Sequence, residues 1–190
     1  VVPDIRKVVK KFRNLPFSKI QKLLKSKYHE ERLTGLLILV EQFESRDEKV
    51  KTKIYNFYVK NLKSVNNWDL VDLTAPKIIG AYLFKRSRSI LYNLSSSKNL
   101  WERRIAIMST FYFIRQNDYK DALNICQRLL ADPHDLIHKA AGWMLREIGN
   151  RSLKIEKEFL NKYFSKMPRT TLRYAIEKFP HKLRLKYLKM

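Results

Sequence analysis

Cysteine, glycine and acidic side chains are all scarce in this sequence, and each shortage narrows what the protein can be. The one cysteine, Cys126, cannot form an internal disulfide, which suits a reducing cytoplasm. Because it lies in the apolar stretch "ALNICQRLL", we expect Cys126 to be a buried small hydrophobic residue. No apolar run approaches the roughly 20 residues that a membrane-spanning helix needs. The first residues show no signal-peptide pattern, so we expect a cytoplasmic protein without a membrane partner.

The shortage of acids leaves a large positive surplus. The chain of 190 residues has 40 Lys and Arg against 18 Asp and Glu, a formal net charge of +22. Its hydrophobic fraction of 45% is ordinary for a folded protein, so the charge does not indicate disorder. A balance this basic favours a polyanionic partner, which is DNA, RNA or an anionic membrane surface. It argues against a scaffold for ordinary protein partners.

The few glycines leave long segments with helical periodicity. Apolar residues recur at the spacing of one helix face in several places, one of which comprises Leu33, Leu36, Leu37, Val40 and Phe43. Short polar stretches separate such segments, and the pattern predicts about ten to twelve helices and no strand. Asp132 followed by Pro133 predicts a helix that starts there, with Asp132 as its N-cap.

A basic residue followed by an apolar helix recurs along the chain. Arg32, Arg104, Lys139 and Arg173 mark these places, and successive members lie 72, 35 and 34 residues apart. The midpoint of the long gap is Trp68, so a unit of about 35 residues repeats throughout. Two helices per unit at this period predict an all-α, HEAT-like repeat α-solenoid, a curved stack of antiparallel helix pairs. A row of Lys and Arg residues along one helix of each pair would make a positively charged groove wide enough for a nucleic-acid duplex.

The stretch "NNWDLVD" places a tryptophan and a carboxylate on one helix in this basic chain. A structural interpretation is that Trp68 belongs to the core and that the acids favour the helix dipole. A functional interpretation notes that Trp68 and Asp72 lie about 40° apart around a helix and would both face the groove. Neighbouring repeats would then bring Arg104 and Trp143 close to them.

The stretches "NNWDLVD", "NLWERRIAI", "IHKAAGWMLREIG" and "HEERLTGLLILVEQF" together resemble the AlkD-like DNA glycosylases of the DNA alkylation repair family. The resemblance covers residues 3–188 and implies a HEAT-like helical enzyme that removes N3- and N7-alkylated purines from DNA. It further implies that Asp72 is the catalytic aspartate, that Trp68 and Trp143 flank the lesion backbone, and that Arg104 is an active-site arginine. Family members often carry a second aromatic residue where this chain has Asn67.

The resemblance also sets expectations for the chain's organisation. Residues 1–190 are expected to form a single HEAT-like repeat glycosylase domain, and the family's short first helix is expected to be missing from its start. The expected partner is double-stranded DNA containing alkylated purines, bound by a monomer associated with the nucleoid. We expect neither a metal nor an organic cofactor.

The chemistry of these residue types is consistent with that activity. A purine alkylated at N3 or N7 is cationic and leaves readily, so Asp72 needs only to stabilise the positive charge that develops on the sugar and to orient water. The faces of Trp68 and Trp143 also favour positive charge, and Arg104 would hold a phosphate. The resemblance implies that the base is not flipped into a protein pocket, unlike in most glycosylases. Asp69 is either a second catalytic acid or a first-turn charge.

Other basic residues are candidates for phosphate contact. The predicted DNA-binding residues, some of which lie in the run "KRSRS", are Arg32, Arg103, Lys139, Arg173, Lys85 and Arg86. The alternative interpretation is that such basic runs are simply solvent-exposed helix faces. The stretch "HDLIH" places His134 and His138 at zinc-helix spacing, but it lacks the glutamate and third ligand of that motif, so we predict no metal site there.

A rival hypothesis from another class is a catalytically silent HEAT-like module that binds damaged or branched DNA. The combination of Asp72 with Trp68, Arg104 and Trp143 favours the enzyme, because a module that only binds DNA has no need of the carboxylate.

Overall fold

The computed structural model describes residues 2–189, apart from the side chain of residue 2, and all regular structure in this range is helical. The chain divides into two compact units, of which the first ends at Arg86 and the second begins at Ser87. The prediction of an all-α protein is confirmed. Within residues 2–189, no helix is both long enough and apolar enough to span a bilayer.

The first unit is built around one central helix. Its helices are α1 (Val2–Lys11), α2 (Phe17–Leu24), α3 (His29–Ser45), α4 (Glu48–Lys60), α5 (Trp68–Ala75) and α6 (Ala81–Leu83), with a π-helical turn, Pro76–Gly80, between the last two. Helix α3 contacts α1, α2, α4 and α5. The five apolar residues predicted to share one face of α3 are all buried, and so are Ile38 and Leu39, because neighbours cover this helix on several sides.

The described part of the second unit packs seven α-helices in succession along the chain. Its helices are α7 (Ser89–Ser95), α8 (Leu100–Arg115), α9 (Lys120–Arg128), α10 (Asp135–Gly149), α11 (Leu153–Tyr163), α12 (Arg169–Ala175) and α13 (His181–Lys189). Helix α10 packs between α8 and α12, while α7, α9 and α11 each pack on the helix that follows or precedes them. Helices α8, α10 and α12 begin 35 and 34 residues apart, as the repeat predicted. This packing and spacing of helices agree with the predicted α-solenoid within the unit.

A recurring side-chain contact marks the start of three equivalent helices. Arg32 on α3 donates to the carbonyl oxygen of the residue six positions earlier at 2.9 Å, and Arg103 on α8 does the same at 2.9 Å. His138 Nε2 on α10 lies 2.5 Å from the corresponding carbonyl oxygen. The equivalent of Arg32 is therefore Arg103, and the predicted alignment of Arg32 with Arg104 is wrong by one residue.

The start of α10 also differs from the prediction. The helix begins at Asp135, and its N-cap is His134, whose Nδ1 accepts a hydrogen bond from Leu136 N–H at 3.2 Å. Asp132 instead caps the turn before the helix, because its Oδ1 accepts from His134 N–H at 2.9 Å. The predicted N-cap at Asp132, with Pro133 as first helical residue, is thus wrong.

Candidate functional site

Helix α5 presents Trp68 at its very start. The side chain of Asn67 caps the helix, and its Oδ1 accepts a hydrogen bond from Trp68 N–H at 2.7 Å. Trp68 is 54% exposed, which is unusual for a tryptophan, while Leu70 and Val71 of the same turn are buried. The interpretation of Trp68 as a core residue is therefore wrong, and its ring is available to a ligand.

Asp72 lies one turn further along α5 and is half-buried. It is close enough to the buried Tyr58 for its charge to affect the pKa of that tyrosine. Burial raises the pKa of Tyr58, a hydrogen bond with Thr74 opposes that rise, and the negative charge of Asp72 adds to it. The Thr74 hydroxyl donates a hydrogen bond to the Leu70 carbonyl at 2.5 Å. Its oxygen must therefore accept the hydrogen bond that the Tyr58 hydroxyl donates at 2.7 Å. Burial and the charge of Asp72 together keep the pKa of Tyr58 high, so its hydroxyl stays neutral.

Five sequence-equivalent helices begin at His29, Trp68, Leu100, Asp135 and Arg169. Counted from these starts, the fifth residue of each helix is Leu33, Asp72, Arg104, Lys139 and Arg173. The sequence-based repeat placed Trp68 at this position, but the helix starts place Asp72 there. Helix α5 therefore carries an acid where the three later copies carry a base.

The helix widens about one turn after Asp72, at Pro76. Pro76 has no N–H to donate to the Asp72 carbonyl four residues earlier, and its ring crowds that carbonyl. The chain responds with the π-helical turn Pro76–Gly80, whose residues Ile78, Ile79 and Gly80 are buried. Such turns are frequent at functional sites. The exposed start of α5, with Trp68, is thus followed by a turn whose residues are firmly packed in the core.

Asp69 is tied to a neighbouring helix. Its Oδ2 lies 2.7 Å from His29 Nε2, and its Oδ1 accepts from Leu70 N–H at 2.8 Å. The pair joins the first turns of α3 and α5, which favours a structural role for Asp69 over that of a second catalytic acid. Sequence reasoning overlooked His29, and the only available signal was its place at the start of the stretch "HEERLTGLLILVEQF".

In the second unit, Arg104 is a buried link between two helices. Only 5% of the residue is exposed, and its Nη1 donates to the Leu136 carbonyl in the first turn of α10. The same residue lies near Lys139, since its charge opposes the rise in the Lys139 pKa that Asp135 causes. Arg104 thereby brings positive charge to the α8–α10 contact, and its contact with a phosphate remains a prediction.

Trp143 lies on α10 one turn beyond Lys139. It is half-buried, its Nε1–H donates to Glu147 Oε1 at 3.3 Å, and its ring centroid is 6.0 Å from that of Phe111. Since Lys139 and Trp143 are four residues apart on a helix, they share a face. The structure thus places Trp68 and Asp72 on one helix of the first unit, and connects Arg104 to the helix that carries Trp143 in the second. The grouping of all four residues stays a prediction.

The predicted phosphate-binding residues differ in how far the fold already uses them. Arg103 donates to Asp132 at 2.5 Å and to two backbone carbonyls, and Arg86 binds Glu48 at 2.7 Å. Arg173 and Lys85 are exposed, and neither forms an ion pair within residues 2–189. These last two are the better candidates for phosphate contact.

Arg32 and Lys139 fall between these cases. Arg32 donates to two carbonyls of the preceding turn, at 2.9 and 3.1 Å. Lys139 forms an exposed ion pair with Asp135 at 2.8 Å, which a phosphate can displace. Phosphate contact at all six residues stays a prediction.

The two histidines of "HDLIH" bind separate backbone groups. His134 accepts from the backbone of α10, and His138 reaches the Asp132 carbonyl, so their ring nitrogens do not converge. Among the described residues, no group of three or more potential ligands is placed to hold a metal ion. Cys126 is fully buried, as predicted, and burial raises the pKa of its thiol.

Comparison with known proteins agrees with this architecture. The sequence model of a family described as DNA alkylation repair enzyme matches residues 1–179. A solved structure, a predicted DNA alkylation repair enzyme from Enterococcus faecalis, is similar in fold with a TM-score of 0.71 and 14% sequence identity, over 93% of this chain and 83% of that one. No curated protein sequence matches the chain significantly. The family match extends over nearly the full sequence, and the chain therefore belongs to the DNA alkylation repair enzyme family.

Proposed function

We propose that the protein is a DNA glycosylase that hydrolyses the N-glycosidic bond of cationic N3- or N7-alkylated purines, such as 3-methyladenine and 7-methylguanine, in duplex DNA. The observation that carries this proposal is Asp72, a half-buried acid at the helix position where α8, α10 and α12 carry bases. A protein that only binds phosphates gains nothing from a negative charge at that position.

The proposed reaction starts from a purine that already carries positive charge. Its glycosidic bond breaks, the bonding electrons neutralise the purine, and the deoxyribose acquires oxocarbenium character. The Asp72 carboxylate stabilises this charge and orients a water molecule, whose oxygen forms the new bond to C1′ while one of its protons is released to the solvent. Burial raises the pKa of Tyr58, so this nearby hydroxyl stays neutral and adds no charge of its own beside the carboxylate.

The two tryptophans have a supporting role in this proposal. Trp68, with its exposed indole, packs on the deoxyribose or backbone beside the lesion, and Trp143 supplies a second aromatic face. Electron-rich ring faces favour the developing positive charge by about 0.5–2 kcal/mol. Because the cationic purine needs no general acid, no step requires that the base be flipped into a protein pocket. Arg104 and Lys139 add positive charge for the phosphates.

The decisive experiment replaces Asp72 by asparagine, which keeps the shape and removes the charge. We expect single-turnover release of 7-methylguanine to fall by about 10²–10³, because a preorganised charge contact acts mainly on the transition state. Affinity for unmodified duplex should stay equal or rise slightly, since the carboxylate repels phosphates. Glu44→Gln, which removes an exposed acid of the same unit, is the matched control and should excise at the wild-type rate.

The outcomes separate the candidate functions. Undiminished excision by Asp72→Asn would refute the assigned catalytic role. If the wild-type protein binds methylated duplex but releases no base, it is the catalytically silent DNA-binding module instead. Neutral bases such as uracil should be released far more slowly than 7-methylguanine, and efficient uracil release would reveal a general acid, with Asp69 the first to test. Excision should also be unchanged in EDTA.

A further inference from the structure

Two aromatic rings of the first unit are exposed beyond what packing explains. Tyr28 is 56% exposed and Trp68 is 54% exposed, and they exceed the other large hydrophobic residues described as exposed. Burying either ring on folding would have been favourable, so their exposure leaves apolar area available for a ligand.

The fold brings these two residues to neighbouring positions. Tyr28 is the N-cap residue of α3, and Trp68 is the first residue of α5. The residues that follow them, His29 and Asp69, form the 2.7 Å hydrogen bond between the two helices. Since each aromatic residue directly precedes one partner of this bond, the two helix starts that carry them lie side by side.

Positive charge accompanies the aromatic residues. Lys27 Nζ lies 5.1 Å from the centroid of the Tyr28 ring. Lys25 and Lys27 are exposed, and within the described part of the chain neither forms an ion pair with an acid. An aromatic face beside an unpaired cation matches the combination of a base or sugar with a phosphate.

We propose that Tyr28 is a second aromatic contact for the DNA substrate, which packs with Trp68 against the nucleotides at the lesion while Lys27 contacts an adjacent phosphate. The His29–Asp69 bond positions the two aromatic residues relative to each other. This inference rests on the proposed function for the place of the lesion. DNA is the occupant because the exposed cations Lys25 and Lys27 beside Tyr28 attract a polyanion more strongly than they attract an ordinary protein surface.

The test measures binding and excision separately for three variants. Tyr28→Ala should weaken binding to a duplex that contains a tetrahydrofuran abasic analogue by about fivefold or more, in line with the loss of one stacking contact. Tyr28→Phe should bind like wild type, because it keeps the ring. The matched control is Phe12→Ala, since Phe12 is also exposed, at 46%, and also has a preceding lysine over its ring, at 5.8 Å.

Each outcome has a defined meaning. Weakened binding by Tyr28→Ala, with Tyr28→Phe and Phe12→Ala close to wild type, supports the proposal. Binding by Tyr28→Ala equal to that of Phe12→Ala overturns it, even if 7-methylguanine is excised normally. If wild type excises nothing while Tyr28→Ala still binds duplex more weakly than the control, the contact stands and the glycosylase assignment fails. Melting temperatures of the exposed-site variants should match wild type, which confirms that folding is intact.

Discussion

Glu156 is a charged side chain in an unusual environment. It lies on α11 with 1% of its surface exposed, and its Oε1 has no hydrogen-bond partner within the described residues. Its carboxyl group occupies the space beside Gly149, where any side chain would collide with it. Burial raises the pKa of Glu156 to about 8, and the nearby charge of Arg146 opposes that rise only in part.

This burial makes stability depend on pH. The folded protein favours the neutral carboxyl, whereas the unfolded chain has the ordinary pKa of 4.5. The stabilisation is therefore complete below about pH 4.5 and is lost as pH rises through about 8. At 1.36 kcal/mol per pKa unit, the loss is at most about 5 kcal/mol.

Glu156→Gln should remove most of this dependence, because an amide stays neutral. We expect the variant to be more stable than wild type at pH 8 and similar to it at pH 5, measured as urea midpoints across that range. Glu158→Gln, an exposed acid on the same helix, serves as the control and should follow wild type. Parallel pH profiles for wild type and Glu156→Gln would show that the carboxyl is solvated.

The sequence allowed some of these side chains to be predicted but not others. Cys126 is surrounded by apolar residues in the sequence, so its burial follows from local pattern. Glu156 stands in the first turn of α11, where an acid normally faces water and favours the helix dipole. Its burial depends on Gly149 across a turn, and His29 likewise acquires its role from Asp69, forty positions away. Local pattern does not contain such contacts.

The contact of α10 with α12 depends on one glycine. A Cβ added at Gly142 would lie 2.5 Å from the backbone oxygen of Thr171 and 2.5 Å from Tyr174 Cβ. At Gly35, where α2 meets α3, the nearest atom would be a leucine side-chain carbon at 3.1 Å. The clash at Gly142 is about half an ångström deeper and involves backbone, whereas the neighbours of Gly35 need to shift by only a few tenths of an ångström, so the two sites should respond differently to the same methyl group.

Gly142→Ala should destabilise the protein by roughly 1–3 kcal/mol net, because overpacking outweighs the gain in helix propensity of about 1 kcal/mol. Gly35→Ala should change stability much less. Urea unfolding of both variants tests the difference. Equal midpoints for the two would mean that α12 moves aside without cost.

Helix starts were predictable where the sequence repeats, and less so elsewhere. The spacing of α8, α10 and α12 follows the periodic basic residues of the sequence, because each repeat contributes one such helix to the stack. The alignment of the first repeat was predicted one residue out of register. Arg32 and Arg104 stand in similar sequence surroundings, but Arg103 is the residue that makes the same backbone contact as Arg32. The π-helical turn after Asp72 was not predicted, since Pro76 alone is equally compatible with a helix end.

The protein as a whole carries a net charge of +22, so its affinity for duplex DNA should fall steeply with salt. The logarithm of the binding constant should decrease with a slope of about −0.9 per neutralised phosphate. Removing the exposed cations Lys85 and Arg173 together, as Lys85→Ala with Arg173→Ala, should reduce the slope by about 2 if both contact phosphates.

The control for that titration is Lys166→Ala, which removes another exposed cation and for which we expect no loss of slope. A salt titration of wild type that is nearly flat would contradict a phosphate-binding surface altogether. An unchanged slope in the double variant would assign the phosphate contacts to other residues, such as Lys139.

The π-helical turn Pro76–Gly80 determines how a change in chain length would affect the site. A hydrogen bond from residue i to i+5 encloses one residue more than an α-helical turn, so the turn is equivalent to a single inserted residue. Deleting that residue would rotate Trp68 and Asp72 by about 100° relative to buried Ile78 and Ile79. A single-codon insertion or deletion is therefore a genetic step that re-aims the carboxylate while the buried residues of the turn keep their packing.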